Sequence, residues 1–90
     1  MYGEKLISGR QLKAARAIVG LSVRQMAALA GINRNSVLRV ENCELLPRQA
    51  WAATRIANVL QQIGISFSLV NDQAGIHFFP RTQEIVRGAE

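Results

Sequence analysis

A short grammar written twice constrains this chain more than anything else in it. Ser8 stands three residues before Gln11, and Ser22 three residues before Gln25. Each pair is a capping box: the serine oxygen accepts from the backbone at the third helical position, and the glutamine reaches back to the serine N–H. Each box is answered by a glycine, Gly20 and then Gly31, where the left-handed backbone that ends a helix costs least. Between them lie apolar residues at helical spacing, Leu12, Ala15 and Val19 in the first segment, then Met26, Ala27 and Ala30 in the second. Asn33 is a third good N-cap and opens a helix to about Asn42. Pro47 suits the start of a fourth, with Ala52, Ile56, Val59, Leu60 and Ile63 on one side and Gly64 as its stop. The pattern predicts a compact bundle of short helices joined by tight turns.

Beyond Gly64 the period changes from helical to alternating. Ile65, Phe67 and Leu69 alternate with Ser66 and Ser68, which predicts a strand with one buried face. Asn71 to Gly75 reads as a turn, and Ile76-His77-Phe78-Phe79 as a return strand ended by Pro80. A two-stranded ribbon is marginal on its own. Its apolar residues must pack on the helices or meet a second copy, and Phe67, Leu69, Val70, Phe78 and Phe79 are the expected dimer interface. The fold class is therefore mainly α, a four- to five-helix bundle followed by a C-terminal β-hairpin. Its divisions are 6–63 for the bundle, 64–80 for the hairpin and 81–90 for a tail, either a mobile end or a short helix.

The charge is as uneven as the punctuation. Eleven Lys and Arg against six Asp and Glu give +5, but Lys5 to Ile63 holds nine bases and two acids, a net of +7. That concentration favours a polyanionic partner through release of phosphate counterions. Other classes fare poorly. Cys43 is the single cysteine, which excludes an internal disulfide scaffold and suits a reducing, cytoplasmic compartment. No apolar run approaches the ~20 residues of a bilayer span, and nothing resembles a secretory signal, so a soluble protein is expected. One histidine, His77, and no glycine-rich phosphate loop leave no basis for catalysis, a metal or a cofactor.

Two short helices about a glycine turn in a basic domain are the arrangement of a helix-turn-helix. Projected at about 100° per residue, the third segment points Val37 and Val40 inward, with Asn35, Arg39 and Asn42 opposite and Arg34 and Leu38 flanking them. These side chains match base edges: Arg pairs with guanine, Asn with adenine, and an apolar group such as Leu38 meets a thymine methyl. Arg16 projects beside the first apolar stripe and Glu41 beside Val37, so an Arg16–Glu41 ion pair joining the two helices is expected.

The chain resembles the Cro/C1-type helix-turn-helix regulators, the XRE family, over about Ile7 to Ile63. The resemblance rests on Leu12-x-x-Ala15-Arg16-x-x-x-Gly20-Leu21-Ser22, on Met26-Ala27-x-x-x-Gly31-Ile32, and on Val37-x-x-Val40-Glu41 with Pro47 after it. It implies a lambda repressor-like bundle and the Arg16–Glu41 pair. It also implies a DNA-binding regulator, a repressor in the commonest case, that docks its third helix in the major groove of double-stranded DNA as a homodimer. Carried over by position, Arg34, Asn35 and Arg39 look like base-reading residues, and Ser22, Asn33, Asn42 and Arg48 look like phosphate contacts. Val23 departs from the family's frequent glutamine, so that phosphate contact passes to Arg24 or is missing. Cys43 replaces a common helix-ending glycine and reads as a small, partly buried residue. The competing reading is a protein-interaction module such as an antitoxin, with a toxin or other protein as its main partner. In either reading the expected location is the cytoplasm, at the nucleoid.

Overall fold

In the computed structural model, which describes residues 6, 8–47 and 50–79, both capping boxes close. The Ser8 Oγ accepts from the Arg10 N–H at 3.1 Å, while the Ser8 N–H donates to Gln11 Oε1 at 3.1 Å. At the second box the Gln25 N–H donates to Ser22 Oγ at 3.0 Å, and the Ser22 N–H to Gln25 Oε1 at 2.9 Å. The helices they start are α1 (Gly9–Val19) and α2 (Val23–Ala30), ended by Gly20 and Gly31 at φ of 79° and 70°. Asn33 caps α3 (Arg34–Glu41), its Oδ1 accepting from the Ser36 N–H at 2.8 Å. The fourth helix, α4 (Trp51–Ile63), begins later than Pro47 suggests. The Ala50 N–H donates to the Pro47 carbonyl at 3.2 Å, so the proline starts a turn ahead of the helix rather than its first turn. Four helices are present among the described residues; no fifth is found there.

The hairpin consists of β1 (Ile65–Val70) and β2 (Gln73–Phe78), antiparallel and in register from Ile65↔Phe78 to Val70↔Gln73. Its connection is tighter than the expected five-residue turn. Asn71 and Asp72 alone make it, at φ of 52° and 64°, the doubly positive φ that matches the twist of paired strands. Asn and Asp tolerate that conformation better than most side chains, which frees Gln73 to Gly75 to pair as strand. Pro80 and the tail 81–90 lie outside the described residues, as do Arg48 and Gln49.

The core is continuous through both parts of the chain. Leu12, Met26, Val37, Ile56 and Leu60 are fully buried at its centre, and Ile65 and Phe67 of β1 join them. Alanines 15, 27, 30, 53 and 57 are buried where helices approach one another. One face of the ribbon lies on α1 and α4, and Gln11 Nε2 donates to the Gly75 carbonyl at 3.4 Å. The packing of Ile65, Phe67, Ile76 and Phe78 on the helices answers how so short a sheet hides its apolar residues.

The residues expected at a dimer interface divide between that packing and the surface. Phe67 is 7% exposed and belongs to the protomer's own core, while Phe78 is half-buried against that core. Leu69 and Val70 lie at the turn end on opposite faces, and Phe79 at the other end, its N–H donating to the Gly64 carbonyl at 2.8 Å.

The junction of α1 and α3 is a close backbone approach. The Gly9 N–H donates to the Cys43 carbonyl at 2.8 Å. A Cβ on Gly9 would stand 2.0 Å from the Val40 carbonyl oxygen, so nothing larger than hydrogen fits. Arg16 completes the junction with a fork onto Glu41: Nε to Oε2 at 2.7 Å and Nη2 to Oε1 at 3.0 Å. Its third donor, Nη1, reaches the Leu21 carbonyl at 3.0 Å, just past the glycine stop of α1. The hydrogen bond to Glu41 raises the Arg16 pKa, against the opposing effect of burial, so the guanidinium stays charged. No helix among the described residues is long and apolar enough to cross a membrane.

Candidate nucleic-acid interface

The interior fixes which side of α3 faces out. Val37 is fully buried and Val40 half-buried, so the helix is gripped along one edge. Arg34, Asn35, Leu38, Arg39 and Asn42 are consequently all exposed. The turn from Gly31 to Asn33 sets α3 beside α2, and between α3 and the start of α2 runs a surface groove of about 390 Å³. Ser22, Val23 and Arg24 line it from one side, Arg34, Asn35 and Leu38 from the other. Three base-reading candidates and two phosphate-contact candidates thus share one surface feature, although sequence had assigned them separately.

The electrostatics of this face follow from what its acids are doing. Glu41 is buried and taken by Arg16, and Glu44 pairs with Arg10 at 2.9 Å. Among the described residues no carboxylate pairs with Arg24, Arg34 or Arg39, all of which are exposed. Three exposed guanidiniums without a carboxylate partner among the described residues make a local positive field suited to a phosphate backbone. Each offers a planar fork of donors that matches a phosphate or the O6/N7 edge of guanine.

The remaining candidates differ in how much hydrogen-bonding capacity they keep. Asn33 has committed its carbonyl oxygen to the Ser36 N–H, so its amide protons are what it can offer a phosphate. Ser22 accepts from Gln25 through Oγ and keeps its hydroxyl proton to donate. Asn42 stands at the far end of α3 as its C-cap, exposed, with its N–H on the Leu38 carbonyl at 3.0 Å. Arg48 lies outside the described residues. Cys43 is half-buried, and its thiol donates to the Leu45 carbonyl at 3.0 Å. His77 lies on the solvent face of the hairpin, its Nε2 3.1 Å from Ser68 Oγ.

Sequence reasoning missed one residue that supports the site. Arg55 on α4 donates from Nε to the Ala30 carbonyl, the last residue of α2. Its guanidinium carbon lies 5.4 Å from the centre of the Trp51 ring, one helical turn earlier. A cation at a helix C-terminus complements the partial negative charge there, and the ring face holds it in place. The Trp51–Arg55 spacing of four was legible; the tertiary contact with Ala30 was not. A Cβ on Gly31 would come 2.7 Å from Arg55 Nη2, so Gly31 provides room as well as a left-handed turn.

No family model matches the chain, and no curated protein matches it.

Proposed function

We propose that this chain is a sequence-specific DNA-binding regulator of the Cro/C1 helix-turn-helix type, acting as a repressor in the cytoplasm. In this reading α3 enters the major groove of double-stranded DNA. Arg34, Asn35, Leu38 and Arg39 meet base edges, while Ser22, Arg24, Asn33 and Asn42 hold the flanking phosphates. The observation that carries it is the α2–α3 face itself: Arg24 on α2 and Arg34 and Arg39 on α3, exposed and without carboxylate partners among the described residues, beside the exposed carboxamide of Asn35, with α3 anchored from behind by Val37.

The protein binds as a homodimer in this account, since one eight-residue helix reads too few base pairs to define a site alone. Both strands of the hairpin are sheet edges, so strand pairing with a second copy is one available contact. The direct test is selection of preferred duplexes from a random library, followed by binding measured over a salt series. A defined sequence with a steep salt slope is the expected result. Binding without preference would reject the regulator and favour a partner-directed role. That second reading, an antitoxin-like interaction module, draws on the outward Val70 and Phe79, 62% and 68% exposed.

A further inference from the structure

Each end of α3 is held by an arginine from another helix. At the far end Arg16 of α1 forks onto Glu41, the last residue of α3. At the near end Arg55 of α4 donates from Nε to the carbonyl of Ala30, which closes α2 just ahead of the turn into α3. That carbonyl needs a donor from outside its own helix. The N–H groups of Gly31 and Ile32 turn back to the carbonyls of Ala28 and Ala27, at 3.3 and 3.0 Å, and Ala30 itself is buried. A helix-ending carbonyl on so buried a residue is costly to leave unmet. Arg55 reaches it from a rigid post. The two residues after it, Ile56 and Ala57, are fully buried in the core, and the Trp51 ring lies against its guanidinium. The fit is close, since a Cβ on Gly31 would meet Arg55 Nη2 at 2.7 Å.

Resting on the DNA-binding reading above, we propose that Arg55 is a positioning residue for base recognition. It ties the turn from Gly31 to Asn33 to α4, and so fixes the direction in which α3 leaves α2. The anchors within α3 itself, Val37, the half-buried Val40 and Glu41, all lie in its second half. Arg34 and Asn35 sit in its first turn, where orientation is inherited from the chain that enters it. Ile32 packs against the core and sets the depth of the turn; the Arg55 bond adds a direction, which an apolar contact does not. Without that bond α3 pivots about its second half, and the displacement is largest at the end that carries Arg34 and Asn35. Arg55 is not among the residues lining the groove, so it acts through the turn rather than by touching DNA.

Two measurements on the full chain and its selected duplex separate this role from plain stabilisation. One is preference among duplexes changed at a single base pair; the other is the slope of log affinity against log salt. Both are read well below the melting temperature of every variant. Arg34→Ala and Asn35→Ala first identify the base pairs read from the first turn of α3. Arg55→Met keeps the length of the stem and removes the donor. It lowers preference at those base pairs about fivefold and leaves the salt slope unchanged, because no phosphate contact is lost. Where the reading side chain is already removed, Arg55→Met has no further effect on preference. Trp51→Leu keeps the donor but frees its stem, and lowers the same preference by a smaller factor. Full preference in Arg55→Met would overturn the positioning role and leave Arg55 a stabilising contact only; if that variant does not fold, full preference in Trp51→Leu overturns it instead. A salt slope reduced by about one with preference retained would overturn it as well, making Arg55 a phosphate ligand. So would an equal loss in the Arg34→Ala and Asn35→Ala backgrounds, or a selected duplex on which neither of those variants loses preference. Failure of the parent protein to select any sequence would reject the regulator reading itself, and the positioning role with it.

Discussion

Replacing Arg16 by methionine tests the junction of α1 and α3 directly. The Glu41 side chain is 2% exposed and Arg16 15%, so the pair is screened far less than a surface ion pair. Methionine matches the length of the arginine stem but removes both donors to the Glu41 carboxylate and the donor to the Leu21 carbonyl. What remains is a buried carboxylate with no counter-charge, and removing one partner of such a pair costs about 3–5 kcal/mol. Because some solvent already reaches Arg16, water can partly replace it, which sets the expectation at the lower end, about 3 kcal/mol. For a domain of this size that lowers the thermal midpoint by about 12–24 °C. Thermal and urea unfolding followed by circular dichroism measure it. The double variant Arg16→Met with Glu41→Leu recovers most of the loss, because it leaves no orphaned charge. An Arg16→Met midpoint within about 3 °C of the parent, or a double variant as unstable as the two single changes added together, would refute the argument.

Other consequences separate stability from recognition. Arg34→Ala and Arg39→Ala each weaken specific DNA binding by about 1–3 kcal/mol with melting unchanged, measured by anisotropy and calorimetry, because both side chains are exposed. Gly9→Ala destabilises by more than Gly20→Ala. The first drives a methyl into the Val40 carbonyl at 2.0 Å, whereas the second meets no atom within 4 Å and carries only the strain of its positive φ, about 1–2 kcal/mol. Arg55→Met lowers stability by about 1 kcal/mol in denaturant unfolding, through loss of the Ala30 hydrogen bond and the Trp51 stacking. Removing the chain from Gly64 onward destabilises the helices rather than releasing an intact monomer, since Ile65 and Phe67 leave the core; a fragment melting like the parent would contradict this.

Local chemistry made much of the fold readable. The two serine–glutamine boxes, the Asn33 cap and the three glycines each act within a few residues, so their spacing carried α1 to α3 almost to the residue. The errors came where one local signal fits two conformations. Pro47 suits the first turn of a helix and also the start of a turn, and Asn71-Asp72-Gln73 looked like a long loop because polar residues serve strands on a solvent face equally well. The polar face of α3 was legible from its period. The shared groove was not, because residues at the start of α2 and on α3 come to line it only through the way the two helices pack. The burial of Phe67 within its own chain was not legible for a related reason: an aromatic in a short strand declares that it will be buried, not whether its own chain or a second copy covers it.

The most direct measurement of the central claim is the salt dependence of binding to a selected duplex by the parent protein and by Arg34→Ala. The account predicts a linear fall of log affinity with log salt for both, with Arg34→Ala losing preference among duplexes that differ at one base position. A protein that holds all sequences equally tightly at every salt concentration, with or without Arg34, would contradict it.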